Sequence, residues 1–312
     1  MILRVLLVVA ASLGVAATPA AGAAREWQEV GTAAGPIVGD GTSVAWTAAP
    51  GRAVVVRAGG ERLERQAANC PGFVRAVGGR RVLFACDQPK PLAGYPSPVD
   101  YAIEPGANRF RVWTDPYSET ETFDQLGDPW VAGAFTGYHF TDQRYYNYRT
   151  GDTIFASRDP FGPRRFLDPS MPALGRPLCR ALWRRTVKQF DVYPRYLPAQ
   201  VADRWLLQGW MGTSALEGMP LVLRRCGTRR ARDLGDGTQA RIGSGWVTWV
   251  PMRGSEPRGV ARALRLRDGH TRYWYVDRHT VIAHTADAIY AAVPIGLSYD
   301  PQGYRILRGS LR

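Results

Sequence analysis

Lysine is nearly missing from this chain. Of its 40 lysine and arginine residues only Lys90 and Lys188 are lysine, so a formal charge of +13 is carried almost wholly by guanidinium groups. Cysteine and histidine are scarce, at four each. No two cysteines stand in the C-x-x-C spacing that zinc or redox chemistry uses. His139, His270, His279 and His284 show no metal-ligand spacing, since the last two are five apart in a segment that reads as strand and turn. No G-x-S-x-G elbow occurs, and Asp40 stands at the wrong offset from Trp46 for a sialidase-type Asp box. The expectation is therefore no metal, no cofactor and no catalytic constellation on the strands.

Long apolar runs are absent beyond the first two dozen residues, which excludes a later membrane span. That opening segment combines a basic start (MILR), an apolar run (VLLVVAASLGVAA) and small residues (AAGAA), the order of a secretory signal peptide over residues 1–24. The run is broken by Ser12 and Gly14, and no cysteine lies near the expected cleavage site, so neither a span nor a lipid anchor is expected. Residues 25–312 then form the exported part, secreted or periplasmic. Cys70, Cys86, Cys179 and Cys226 allow two disulfides in any of three pairings in an oxidising compartment. Nearness in sequence favours Cys70 with Cys86 and Cys179 with Cys226.

What the chain does contain is a repeat. VGDGTSVAW from Val38, VGGRRVLFA from Val77, LGDPWVAGAF from Leu126, VADRWLLQGW from Val201, IGSGWVTW from Ile242 and AHTADAIYAAV from Ala283 each place a turn before a short apolar strand. The starts lie 39, 49, 75, 41 and 41 residues apart, and a period of about 40 to 45 residues marks propeller blades. A fainter match, LGRPLCRALW from Leu174, is either a degenerate seventh blade or part of an insertion.

A second signal follows each strand. AVVVRAGGERL, DYAIEPGANRFRVW, RYYNYRTGDTIFA, PLVLRRCGTRRARDL, ARALRLRDGHTRYWY and GYRILRGSLR read as strand, glycine turn, strand. The expected fold is all-β: a six-bladed β-propeller of four-stranded antiparallel sheets, seven blades remaining open. Near-continuous apolar runs such as WVTWV fit strands covered on both faces. Residues 27–31 precede the first repeat and are expected to supply the outer strand of the short last unit, closing the ring.

These inner strands and hairpins, RYYNYRTGDTIF and LRLRDGHTRYW among them, resemble the TolB-type propellers and the wider WD40-like group of secreted bacterial propellers. The resemblance implies a fold and transfers no functional residue. About a dozen residues of the exported chain precede the first repeat, which leaves no room for the separate N-terminal domain of TolB itself.

Three segments carry chemistry. DPYSETETFDQLGD holds Asp115, Glu119, Glu121, Asp124 and Asp128 on an expected connection between blades, read as a solvated acidic loop against a calcium site. The stretch Tyr145, Tyr146, Tyr148 and Arg149 sets rings beside guanidinium groups, suited to sugar stacking or a protein hot spot, or else to packing between blades. Arg224, Arg225, Arg229 and Arg230 form a basic hairpin around Cys226, suited to an anionic polymer or an acidic partner, or else a charged guard on an exposed edge.

The function expected is non-enzymatic binding of a protein or glycan partner in the cell envelope or extracellular space. Export argues against nucleic acid as the ligand. The competing class is an extracellular hydrolase or lyase with catalytic residues on loops at one mouth of the propeller.

Overall fold

In a computed structural model of the chain, the residues described are 26–86, 98–113, 118–137, 140–155, 200–202, 204–209, 219–254, 256–297 and 300–312. Residues 1–24, read above as a signal peptide, Asp115, His139, the Leu174 repeat and Cys179 lie outside them.

Strand β1 (Gln28–Ala33) is followed by a four-stranded antiparallel sheet of β2 (Val38–Gly39), β3 (Ser43–Ala49), β4 (Arg52–Arg57) and β5 (Arg62–Gln66). The second sheet runs β6 (Phe73–Gly78), β7 (Arg81–Cys86), β8 (Pro98–Glu104), β9 (Asn108–Trp113). The third runs β10 (Ser118–Leu126), β11 (Trp130–Gly137), β12 (Phe140–Asn147), β13 (Thr153–Phe155).

An eight-stranded sheet comes next: β14 (Gln200–Ala202), β15 (Trp205–Gly209), β16 (Met219–Arg225), β17 (Ala231–Gly243), β18 (Trp246–Arg253), the short β19 (Glu256–Pro257), β20 (Val260–Arg265) and β21 (Thr271–Tyr275). Its long β17 serves twice, pairing its first half with β16 and its second with β18, across an irregularity between Thr238 and Arg241. At that break Gln239 has a positive φ of 53°. Its amide donates to the Thr280 carbonyl at 2.9 Å and accepts from the Ile282 amide at 2.7 Å, so the kink ties β17 to the next sheet.

The last sheet holds β22 (Val281–His284), β23 (Ala288–Leu297) and β24 (Asp300–Ser310), with β1 paired antiparallel on the outer side of β24. This differs from the hairpin expected in GYRILRGSLR: Gly309 lies inside β24, and the neighbour of that strand comes from the other end of the chain.

Each quoted repeat unit spans the first strand of a unit, its turn and its second strand. The strands expected to be innermost, SVAW, RVLFAC and WVTWV, are second strands, hydrogen-bonded on both sides. The first strands stand next to one another: β2 lies against β6 and β22, and β6 against β10. The approach is close enough that a Cβ on Gly39 would sit 2.7 Å from the Ala283 Cβ, and one on Gly78 only 2.3 Å from the Leu126 carbonyl oxygen. The ETETFDQL stretch is thus not a connecting loop but strand β10.

Successive sheets pack face to face. Val74, Val77 and Phe84 meet Ala45, Val55 and Ala67 between the first and second sheets. Tyr101, Ile103 and Phe110 meet Phe123 and Val131 between the second and third. Trp246, Ala263 and Trp274 meet Ile289 and Leu311, and Tyr290 and Ile306 of the last sheet meet Trp46 and Val54 of the first. Each buried side chain of this size contributes about 1.5 to 3 kcal/mol. The second strands are covered on both faces, which is why β18 reads as six consecutive buried residues. The fourth strand β5 faces solvent on one side and alternates in exposure. Four-stranded antiparallel units stacked in this way, with almost no helix, form a propeller-type architecture.

Candidate anion-binding face

Alternation of strand direction brings the first turn of each unit, between its first and second strands, to the same end as its third-to-fourth turn. Hydrogen bonds knit these turns together. The Leu266 amide donates to the Gly245 carbonyl at 2.8 Å, and the Cys226 amide to the Arg204 carbonyl at 2.8 Å. The Gly59 amide reaches the Asp287 carboxylate at 3.4 Å from a neighbouring sheet.

Four carboxylates at this end are committed. Asp40 Oδ1 accepts from the amides of Thr42 (2.7 Å) and Ser43 (2.6 Å) and from the Thr42 hydroxyl, while its Oδ2 accepts from the Gly79 amide of the next sheet at 2.7 Å. Glu61 takes both Arg57 (2.7 Å) and Arg80 (2.8 Å). Asp287 accepts the Thr285 hydroxyl at 2.9 Å and faces Arg308 at 3.6 Å. Asp268 is held by Arg265, whose hydrogen bond, with that of the His270 amide, lowers its pKa to about 2.

Arginine remains in excess. The hairpin between β16 and β17 turns tightly, with the Thr228 amide donating to the Arg225 carbonyl at 3.2 Å and Gly227 supplying φ of 79°. The Thr228 hydroxyl donates to the same carbonyl at 3.0 Å. Cys226 is buried and disulfide-bonded at the base of the turn. Arg225, Arg229 and Arg230 are exposed and Arg224 is half-buried. Exposed Arg204 adjoins them through the Cys226–Arg204 backbone bond. Among the described residues no carboxylate lies within ion-pair distance of Arg204, Arg225, Arg229 or Arg230. Arg232 donates to the Gly269 carbonyl at 3.3 Å, which fixes this hairpin beside the β20–β21 turn carrying Arg267 and His270.

The tyrosine segment is placed differently. Tyr145 is buried against Ala132 and Trp130. Tyr146 is half-buried, stacking on Phe110 at 5.6 Å with the Arg144 guanidinium over its ring at 5.7 Å. Tyr148 is buried, stacked near Phe110 at 5.8 Å, and its hydroxyl donates to Asp128 at 2.8 Å while accepting from Arg81 at 2.7 Å. Desolvation raises its pKa. Arg149 is exposed, paired with Asp128 at 2.9 Å and lying over the Tyr148 ring. The Tyr146 and Tyr148 rings sit between the second and third sheets, Tyr145 packs apart from them on Ala132 and Trp130, and Arg149 is exposed.

Sequence reasoning missed one polar pair. Thr248 Oγ1 lies 2.8 Å from His284 Nδ1, and His284 Nε2 is 3.2 Å from the Gly243 carbonyl. The carbonyl can only accept, so Nε2 carries the proton and the threonine hydroxyl donates to Nδ1. The distance is that of a hydroxyl and its base, but both side chains are fully buried, so the pair works as a strut. Among the described residues no group of three or more His, Cys, Asp or Glu could hold a metal ion, and no helix is long and apolar enough to cross a membrane.

No protein-family model matches the chain, and no curated protein matches it. Among solved structures it is similar to TolB from Acinetobacter baumannii, at 9% identity and a TM-score of 0.39, covering 88% of this chain and 66% of that one. It is also similar to a PQQ-bound aldose sugar dehydrogenase from Streptomyces coelicolor, at 10% identity and a TM-score of 0.38, covering 91% and 97%. A third is the isopeptidase AtxE2, at 13% identity and a TM-score of 0.33, covering 92% and 51%. The chain spans just under two thirds of the length of the TolB structure. Likeness of this degree carries no activity across.

Proposed function

We propose that this chain is an exported binding module: residues 1–24 a signal peptide, residues 25–312 one six-bladed propeller sealed by β1. In this reading the two halves of β17 belong to neighbouring blades, which divides the eight-stranded sheet into two units. The pairing of β1 with β24, and the packing of the last sheet on the first, support closure. The Cys70–Cys86 disulfide supports an oxidising, extracytoplasmic compartment.

The observation that carries the binding role is the hairpin of Arg225, Arg229 and Arg230, exposed and without carboxylate partners among the described residues, on a turn braced by a buried disulfide cysteine. Unpaired guanidinium groups on a rigid scaffold are preorganised donors for an anionic protein or glycan surface.

The test is capture of envelope material by the exported chain, washed at low and high salt and read by mass spectrometry and glycan analysis. A stoichiometric partner surviving high salt, and lost with R225Q/R229Q/R230Q, is expected. Equal capture by that variant overturns the reading.

A further inference from the structure

We infer that the arginine face takes a linear polyanion, a polymer of phosphodiester or carboxylate groups laid across neighbouring turns, rather than a single small anion; this rests on the binding role proposed above. The guanidinium-bearing residues are spread along a path. Arg204 and the hairpin of Arg225, Arg229 and Arg230 are joined by the Cys226–Arg204 bond, and the Arg232–Gly269 bond continues the path to Arg267 on the next hairpin, itself 3.6 Å from Asp268. They are distributed over three different turns. A row of separated, solvated cations gains most from a ligand that presents charges in series and releases many counterions.

The apolar residues decide between a polymer and the other anionic surfaces. The exposed large hydrophobic side chains among the described residues are Phe73, Trp113, Tyr275, Ile295 and Leu297. None lies on the turns at 204–205, 226–230 or 266–270. A lipid surface would be held by an inserted ring or aliphatic chain beside the cations, and a protein partner by a buried aromatic anchor. Among the described residues the arginine path offers neither, which leaves charge and guanidinium hydrogen bonding as the means of recognition.

The experiment measures binding of the exported chain to long-chain inorganic polyphosphate, to tripolyphosphate and to phosphatidylcholine vesicles containing phosphatidylglycerol, each across a salt series. The R225Q/R229Q/R230Q variant is compared with R253Q/R258Q/R278Q, which removes the same charge from exposed sites on other turns. Melting curves of both variants establish that they fold.

The expected result is polymer binding at least tenfold tighter than tripolyphosphate, weakened about tenfold or more by the hairpin variant only. Its salt slope should fall by about 2. Equal weakening by both variants overturns the inference in favour of generic charge. Tripolyphosphate binding as tightly as the polymer overturns the path. Vesicles outcompeting the polymer make the face a membrane surface. Absence of polymer binding by the unmodified chain with envelope capture retained overturns this inference and leaves the binding role standing; absence of both in the unmodified chain overturns the two together.

Discussion

Thr248 on β18 and His284 on β22 join two sheets through a 2.8 Å hydrogen bond in which both side chains are fully buried. Burial is the main reason the imidazole pKa falls from 6.5 to about 4, with the positive charge of Arg241 adding to it against the Gly243 hydrogen bond. The folded value is depressed, so between these two values the unfolded chain holds a proton that the native chain lacks. Stability is therefore fully present above pH 6.5 and is lost as pH falls toward 4, on the order of 3 kcal/mol in total. Melting temperature measured from pH 7.5 to 4.5 should decline in the wild type. An H284Q variant, less stable at neutral pH, should show a visibly flatter decline; parallel curves would remove the histidine from the account.

Cys70 and Cys86 close a loop with a sequence separation of 16 next to the β6–β7 hairpin. Cross-linking a loop of that length stabilises by about 3 kcal/mol. The double C70A/C86A variant should melt roughly 5 to 10 °C lower. A melting point unchanged within error would show that the bond constrains nothing in the unfolded chain.

Gly309 in β24 leaves room for the fully buried Trp274. A Cβ there would lie 2.4 Å from the indole Nε1. G309A should cost about 1 to 3 kcal/mol by overpacking, measured by denaturant titration. W274F removes the clashing edge, so adding G309A to W274F should cost less than adding it to the wild type. Simple additivity of the two changes would contradict the packing assigned to this pair.

Asp40 joins its own turn to the Gly79 amide of the next sheet through hydrogen bonds to a carboxylate. Replacing it with alanine leaves the Thr42, Ser43 and Gly79 donors to water and should destabilise by about 2 kcal/mol. Asparagine has one acceptor oxygen where the carboxylate has two, so D40N should fall between wild type and alanine in chemical denaturation. If D40A matches wild type, the bridge between the sheets contributes nothing net.

Removal of residues 26–33 tests the role of β1. Without it the outer side of β24 loses its partner, and the Trp27 indole no longer stacks near Trp274 at 5.9 Å or donates to the Tyr275 carbonyl. Deletion should lower the denaturation midpoint and increase aggregation through the bared edge. A monomeric protein of wild-type stability would refute that role.

Strand periodicity and turn chemistry were legible because they are local. The apolar run of Trp246–Val250 needs a partner on each face wherever it lies, and Gly227 marks a tight turn whatever surrounds it. The hairpin arginines were visible for the same reason, as a run of like charge at a turn. What stayed hidden depended on neighbours far apart in sequence. Nothing near β17 announces that its two halves serve different partners, and ETETFDQL looked like a loop because acidic residues and threonines dominate it. The Thr248–His284 strut joins residues 36 apart, and neither segment signals the other.

By itself, then, the amino-acid order determined the class of fold and the supply of charge, since hydrophobic spacing, glycine turns and guanidinium content act within a few residues. Tertiary structure decided which polar groups are spent and which are free. Asp40, Glu61 and Asp287 are consumed by partners brought from other strands, Tyr148 is taken into the packing between two sheets, and Arg225, Arg229 and Arg230 are left without carboxylates among the described residues. Coulomb and hydrogen-bond energies fall off over a few ångströms, so only the folded arrangement could set those distances.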